Sequence, residues 1–99
     1  MATTPKLMYR GNAATSNTTL YTVGAGKTAI VTDICVTNTD SVSNTFTLNL
    51  NGTALLSAAT IAANSMATFE LKQVLEVADT ISGSASATTV KFHISGVEL

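Results

Sequence analysis

The sequence predicts an all-β domain, a small antiparallel β-sandwich or jelly-roll-like fold with seven or eight short strands. From residue 18 onward, apolar and polar residues alternate with a period of two, the pattern of a strand with one buried face. Residues that favour strands are frequent, with eighteen Thr among 99 residues. Turn residues recur at short intervals between the alternating runs. A chain of this length has room for one core, so residues 18–99 are predicted to form a single domain.

Residues 1–17 are predicted to form an extended N-terminal arm. They mix small and polar residues around one short apolar patch, with a basic residue on either side of it. Such an arm is either disordered or laid as an extra strand on the edge of a neighbouring subunit. The predicted assembly residues of the arm are Lys6, Leu7, Met8, Tyr9 and Arg10.

The inward-facing residues of the alternating runs are predicted to form the core. Each run supplies two or three of them, and polar residues such as Asp33 and Lys72 fall on the opposite face. The predicted core residues are Ile30, Ile34, Val36, Phe46, Leu48, Leu50, Phe69, Leu71, Val90, Phe92 and Ile94.

Two segments carry the clearest local signals. Asn51 and Gly52 tolerate positive φ, which a two-residue type I′ turn needs at both positions, so residues 45–50 and 53–57 are predicted to form a hairpin. Apolar residues in 66–77 also recur near helical spacing, and a helix is the alternative there. A strand is favoured because Thr68 and Phe69 suit it better and no helix cap precedes the segment.

Residues 24–28, Gly-Ala-Gly-Lys-Thr, look like the end of a phosphate-binding loop. That motif requires a glycine five positions before Gly26, where Tyr21 stands, and a helix after Lys27, where a strand-like run follows. The segment is therefore interpreted as a turn.

The groups that could perform chemistry are scattered. His93 is the only imidazole and shares a face with Lys91, so both are predicted to lie on the surface or at a subunit interface. Cys35 lies within a strand and is interpreted as structural. The six carboxylates are spread singly, although folding could bring Glu70 near Glu76 as a weak cation site. We therefore expect no catalytic residues, no cofactor and no resident metal.

Composition excludes several classes of partner. A net charge of −1 offers no basic surface for nucleic acid, and no apolar run approaches the roughly 18 residues of a membrane span. The chain has five aromatic residues and no Trp, which weakens a lectin role. A polar loop over residues 39–44 could still bind sugar through hydrogen bonds, with Tyr21, Asp40 and Asn44 as the candidate binding residues.

Four segments carry a resemblance to known proteins. They read LYTVGAGKTAIV in residues 20–31, LNLNGT in 48–53, IAANS in 61–65 and ADTI in 78–81. In this order they resemble a class of small β-sandwich virion proteins of tailed bacteriophages. Gly24 stands where that class more often has Pro, and Ala78 stands where it has Gly. Both differences fall at turns, and the resemblance covers residues 20–97.

The resemblance implies a virion structural protein, a capsid decoration, cement or fibre-type subunit, and not an enzyme. Such a subunit is made in the bacterial host cytoplasm and resides in the virion. Its expected partners are copies of itself, with a trimer favoured, and the major capsid or tail proteins; nucleic acid and membrane are not expected. The alternative is a carbohydrate- or receptor-binding module of a phage tail or fibre.

Overall fold

A computed structural model describes residues 4–99, and in them it contains eight β-strands and no helix. This confirms the predicted all-β class. The segment with the helical alternative is a strand, β6. The strands are β1 Thr4–Asn12, β2 Thr18–Thr22, β3 Ala29–Asn38, β4 Asn44–Leu50, β5 Thr53–Ile61, β6 Ser65–Leu75, β7 Thr80–Ala85 and β8 Val90–Glu98.

The strands form two four-stranded antiparallel sheets. The first sheet has the order β1-β8-β3-β6 and the second the order β2-β7-β4-β5. The pairings are nested: β4 pairs with β5, β3 with β6, β2 with β7 and β1 with β8. This is the strand order of a jelly roll, in which the chain behaves as one long hairpin that wraps into two sheets. The predicted sandwich with a jelly-roll-like topology is thus confirmed.

The sandwich has two sides and two ends that are used below. The β1/β2 side and the β5/β6 side each combine one edge strand from each sheet. The turn end carries residues 23–28, 51–52 and 76–79, and the network end carries the loops at residues 39–43, 62–64 and 86–89.

The core lies between the sheets and contains most of the predicted residues. Phe46 and Phe92 meet edge to face at its centre, with ring centroids 6.2 Å apart. Phe69, Leu71 and Leu50 are only half-buried and pack against this core from its margin. The residues that were predicted for the core and are fully buried there are Ile34, Val36, Phe46, Leu48, Val90, Phe92 and Ile94.

The prediction that Ile30 shares a face with Ile34 is wrong. The pairing register of β3 with both neighbours shifts between Val31 and Asp33. Thr32 and Asp33 therefore both lie on the outer face, and the inward residues change from odd to even numbers. Ala29 and Val31 are fully buried in place of Ile30, which is half-buried on the outer face. An extra residue of this kind, a β-bulge, breaks the period of two without any sequence signal.

The prediction of a separate arm over residues 1–17 is corrected for the residues that the structure describes. Residues 4–12 form β1, which pairs with β8 of the same chain, so this part of the predicted arm is a strand of the sandwich. The register shifts between Leu7 and Tyr9, which makes Met8 the extra residue of a bulge. Its side chain turns into the core and is only 6% exposed. Residues 1–3 of the predicted arm lie outside the described residues.

The predicted hairpin is confirmed, since β4 and β5 are joined by Asn51 and Gly52 with φ of 49° and 79°. Ala78 also adopts a positive φ, 70°, in the turn before β7. A residue with a Cβ is less favourable than Gly in this left-handed region.

Candidate functional site

Asp40 and Asn44, two of the three candidate binding residues, meet at the network end around Asn38. Asn38 is 1% exposed, and its Nδ2 donates to three backbone carbonyls at 2.9–3.3 Å. Its Oδ1 accepts from the Asp40 N–H at 3.1 Å and from Asn44 Nδ2 at 3.2 Å. Asn44 also donates to Asp40 Oδ2, and Ser86 Oγ donates to Asn44 Oδ1 at 2.9 Å. Asn38, Asp40 and Asn44 therefore hold the loops at residues 39–43, 62–64 and 86–89 to one another.

The carboxylate of Asp40 is occupied by this network. Hydrogen bonds from the Asn44 side chain and then from the Ser41 N–H hold the pKa of Asp40 below its ordinary value. Between residues 4 and 99, no buried side-chain nitrogen or oxygen lacks a hydrogen-bond partner. Buried polar groups need hydrogen-bond partners, and packing of the loops supplies them for every polar residue of this network.

Tyr21, the third candidate, lies elsewhere. It is on β2, opposite Ile81, and its hydroxyl donates to Glu98 Oε2 at 2.6 Å across the gap between the sheets. Burial, followed by the hydrogen bond and the charge of Glu98, raises the pKa of Tyr21 to about 12. The structure does not bring Tyr21 together with Asp40 and Asn44. Tyr21 ties the second sheet to the last strand of the first.

His93 and Lys91, the predicted interface residues, lie on the outer face of the first sheet and are half-buried there. His93 stands opposite Arg10 of β1 on one side and Cys35 of β3 on the other. Lys91 Nζ donates to Asn12 Oδ1 at 2.7 Å. Arg10, from the predicted arm, therefore belongs to the same outer face as His93.

Within the described residues, no three His, Cys, Asp or Glu side chains form a group that could hold a metal ion. Glu70 stands opposite Asp33 in the pairing of β3 with β6, and Glu76 follows the end of that strand. Over residues 4–99 there is no helix with the length and hydropathy needed to cross a membrane.

An apolar surface lies on the β5/β6 side, which the sequence prediction did not single out. A shallow apolar cavity of about 190 Å³ runs between the two strands. Residues of both strands line this cavity: Leu55, Leu56, Phe69, Glu70 and Leu71. Exposed apolar surface of this kind marks interaction sites more often than the rest of a surface does.

The backbone of β6 borders this cavity and is the longest edge in the molecule. β6 has eleven residues and pairs with β3 on one side; among residues 4–99 no strand pairs with its other side. Its side chains alternate strictly between half-buried and exposed from Ser65 to Lys72. Met66 and Val74, on its outer face, are 64% and 59% exposed. We call β6 with Leu55 and Leu56 the β6 edge.

The β6 edge could be found only in part from sequence. The alternation of residues 68–72 predicted a strand. Met66 and Val74, apolar residues at outer-face positions, were the only further signal in this segment. Which strand ends a sheet depends on the strand order, which local sequence does not encode.

No protein-family model matches the chain, and a search of curated proteins also finds no significant match.

Proposed function

We propose that this chain is a structural subunit of a bacteriophage virion, a decoration, cement or fibre-type protein that acts by assembling with copies of itself on a capsid or tail. The observation that carries the proposal is the ordered set of four strand and turn segments that resembles such proteins. The function is one of contact between proteins and needs neither a catalytic site nor a cofactor.

Three of these segments lie against one another at the turn end, which supports reading them as one feature. The Val23 N–H donates to the Asp79 carbonyl at 3.0 Å, and the Ala78 N–H donates back to the Val23 carbonyl at 3.2 Å. The Asn51 N–H donates to the Thr80 carbonyl at 2.6 Å. Backbone hydrogen bonds join these turn segments into one unit of the fold. This supports treating them together as the basis of the resemblance.

The surface suits assembly in many copies. Its polar groups are mostly hydroxyls and amides, with eighteen Thr and nine Ser against eleven charged residues of Lys, Arg, Asp and Glu. Contacts through such a surface lose little free energy to the desolvation of charges. On a particle that presents many copies, weak contacts add up through multivalency. The favoured trimer is part of this proposal.

The test is the composition of particles. Virions from a host that carries the gene are purified through two successive density gradients and examined by quantitative mass spectrometry and by immunogold labelling against this chain. We expect the chain at a fixed copy number relative to the major capsid protein, with gold on the capsid or tail. Its absence from gradient-purified particles, while it is abundant in the lysate, would contradict the proposal.

A further inference from the structure

We propose that β6 pairs with β6 of a second copy of this chain, antiparallel and around a two-fold axis at Leu71, so that the first sheets of both copies become one continuous sheet. The proposal deepens the proposed function, on which it rests only for the expectation that copies assemble. A two-fold contact joins copies in pairs, so it is a second contact beside the one that would form the trimer. It names the surface and the register of one contact between them.

Of the four edge strands, β6 is the one best able to accept another strand. β1 carries Pro5 and Lys6 directly after its first residue and contains the Met8 bulge, features that discourage pairing. β2 has five residues. The register of β5 shifts twice against β4, and Ala58 within it has a positive φ of 47°. β6 has eleven residues and no Pro, its side chains alternate from Ser65 to Lys72, and its register shifts once against β3, between Glu70 and Gln73.

The charges of β6 fix the register. Glu70 and Lys72 are both exposed on its outer face, one on either side of Leu71. In a two-fold antiparallel pair centred on Leu71, Glu70 of each copy lies directly opposite Lys72 of the other. Such an interface repeats every contact twice, so one complementary pair in the sequence gives two in the dimer.

Neighbouring registers are worse. A centre at Glu70 places the two Glu70 side chains opposite each other, and a centre at Lys72 does the same with the two lysines. Like charges directly opposite destabilise a strand pair. A centre between two residues matches the outer face of one strand with the inner face of the other, which would expose the apolar side chains of one copy.

The first sheet already contains a charge conflict that this contact relieves. Asp33 and Glu70 are direct partners in the pairing of β3 with β6 and are both exposed on the outer face. Two carboxylates opposite each other repel. Lys72 of the second copy would lie beside Glu70 and bring a positive charge to this acidic pair.

The inner face of β6 gains at the same time. In the proposed register the two Leu71 side chains face each other at the two-fold axis, beside the cavity lined by Leu55, Leu56 and Phe69. Leu71 is half-buried in the single chain. Pairing would remove this apolar surface from water in both copies, and such burial is the main driving force of association.

Charge reversal with restoration tests the contact. Self-association is measured by sedimentation equilibrium with a reducing agent at low ionic strength. We expect Lys72→Glu and Glu70→Lys each to raise the dimer Kd by about tenfold or more, since each replaces two attractions by two repulsions, and the double variant E70K/K72E to recover most of the affinity. Lys27→Glu, on the exposed turn end, makes the same change in net charge as Lys72→Glu and should leave the dimer Kd unchanged.

Cross-linking tests the two-fold axis itself. In a Cys35→Ser background, Leu71→Cys should form a disulfide-linked dimer on mild oxidation, because only the residue on the axis faces itself across the pair. Thr68→Cys, on the same strand, should not, because it faces Val74 of the other copy. Circular dichroism confirms that each variant is folded.

A monomer at all accessible concentrations would overturn the contact, as would a trimer that does not respond to charge reversal, or equal cross-linking of the two cysteine variants. These outcomes are independent of the particle test. A dimer that meets every expectation but is absent from virions refutes the proposed function alone, and a virion protein without this response refutes the contact alone.

Discussion

On the β1/β2 side of the sandwich the edge strands are tied to the core, whereas on the β5/β6 side they leave an apolar cavity at the surface. Met8 and Ala13 are buried on the first side, and the Ala13 N–H donates to the Val90 carbonyl at 2.8 Å. Tyr21 and Glu98 join the two sheets there. On the second side Leu55 remains 37% exposed beside the cavity.

The edge strands β1 and β6 differ in the features that discourage pairing with a further strand. The bulge in β1 turns Met8 inward, and Pro5, Lys6 and Arg10 interrupt or charge the strand that remains. β6 contains no Pro, alternates from Ser65 to Lys72 and has a single register shift, against β3 between Glu70 and Gln73. Natural sheets avoid uncovered regular edges because another strand can pair with them. The β6 edge, which is the longer one and has no Pro, is therefore the place to expect a partner.

The largest effect is predicted for the bulge residue that anchors β1. Met8→Ala removes a buried side chain and leaves a cavity, which should lower the free energy of unfolding by about 2–5 kcal/mol. The measurement is urea denaturation followed by circular dichroism.

Two controls on the same residue and the same strand sharpen this prediction. Met8→Leu conserves the volume and should cost less than about 1.5 kcal/mol. Leu7→Ala, at a position 52% exposed, should change stability by no more than about 0.5 kcal/mol. If Met8→Ala were as mild as Leu7→Ala, β1 would not be part of the core, and the two sides of the sandwich would not differ as described.

Sequence patterns predicted the fold class because most strands here obey the period of two. The Asn51-Gly52 hairpin and the inward residues of β4 and β8 follow from local chemistry alone. Patterns did not predict the places where a bulge changes the inward face. Ile30 was misplaced for this reason, since a bulge is set by the neighbouring strands and not by the residue that forms it.

The candidate site was harder to predict because it depends on which strands and loops become neighbours. Asp40 and Asn44 are close in sequence and do lie together, whereas Tyr21 is held near Glu98, far along the chain. The β6 edge is a property of the strand order. Its residues could be predicted as a strand but not as the last one of its sheet.

The second prediction concerns the packing beneath β1. A Cβ added at Gly96, on β8, would overlap the Ile30 carbonyl oxygen and lie 2.7 Å from Met8 Cε. Gly96→Ala should therefore destabilise the protein by about 1–3 kcal/mol, the usual cost of overpacking.

Gly24→Ala is the matched control, because its added Cβ would lie 3.9 Å from the nearest atom, Lys27 Cγ. It should be neutral or stabilise by up to about 1 kcal/mol through the unfolded chain. Thermal unfolding of both variants checks the pair, and equal stability would contradict the close approach of β8, β3 and β1.

The third prediction concerns the bond that joins the sheets on the β1/β2 side. Tyr21→Phe removes the hydroxyl that donates to Glu98, and we expect a loss of about 0.5–1.5 kcal/mol at neutral pH. The Tyr21 pKa of about 12 lies above the value of 10.0 for a free tyrosine. The neutral phenol therefore stabilises the fold fully below pH 10, and this contribution is lost as the pH rises from 10 to 12.

The ultraviolet absorbance of phenolate tests this directly, because the chain has two tyrosines and the difference between wild type and Tyr21→Phe reports Tyr21 alone. Glu98→Gln removes the charge that opposes ionisation, so the Tyr21 pKa should fall toward 10.0. An unchanged Tyr21 titration in Glu98→Gln would contradict the role of Glu98.

The smallest effect is predicted for the two exposed carboxylates that face each other between β3 and the edge strand β6. Asp33→Asn removes one of two carboxylates that face each other across β3 and β6, while its side-chain oxygen can still accept from Thr32 Oγ1. At protein concentrations too low for self-association, this should stabilise the fold by about 0.2–1 kcal/mol.

Glu70→Gln should give a similar gain, and the double variant should gain less than the sum because both substitutions remove the same repulsion. The gain should shrink in about 1 M salt, since exposed charges are then screened within about 3 Å. Denaturation of the four proteins at both salt concentrations measures it, and additive gains that ignore salt would mean that Asp33 and Glu70 do not interact.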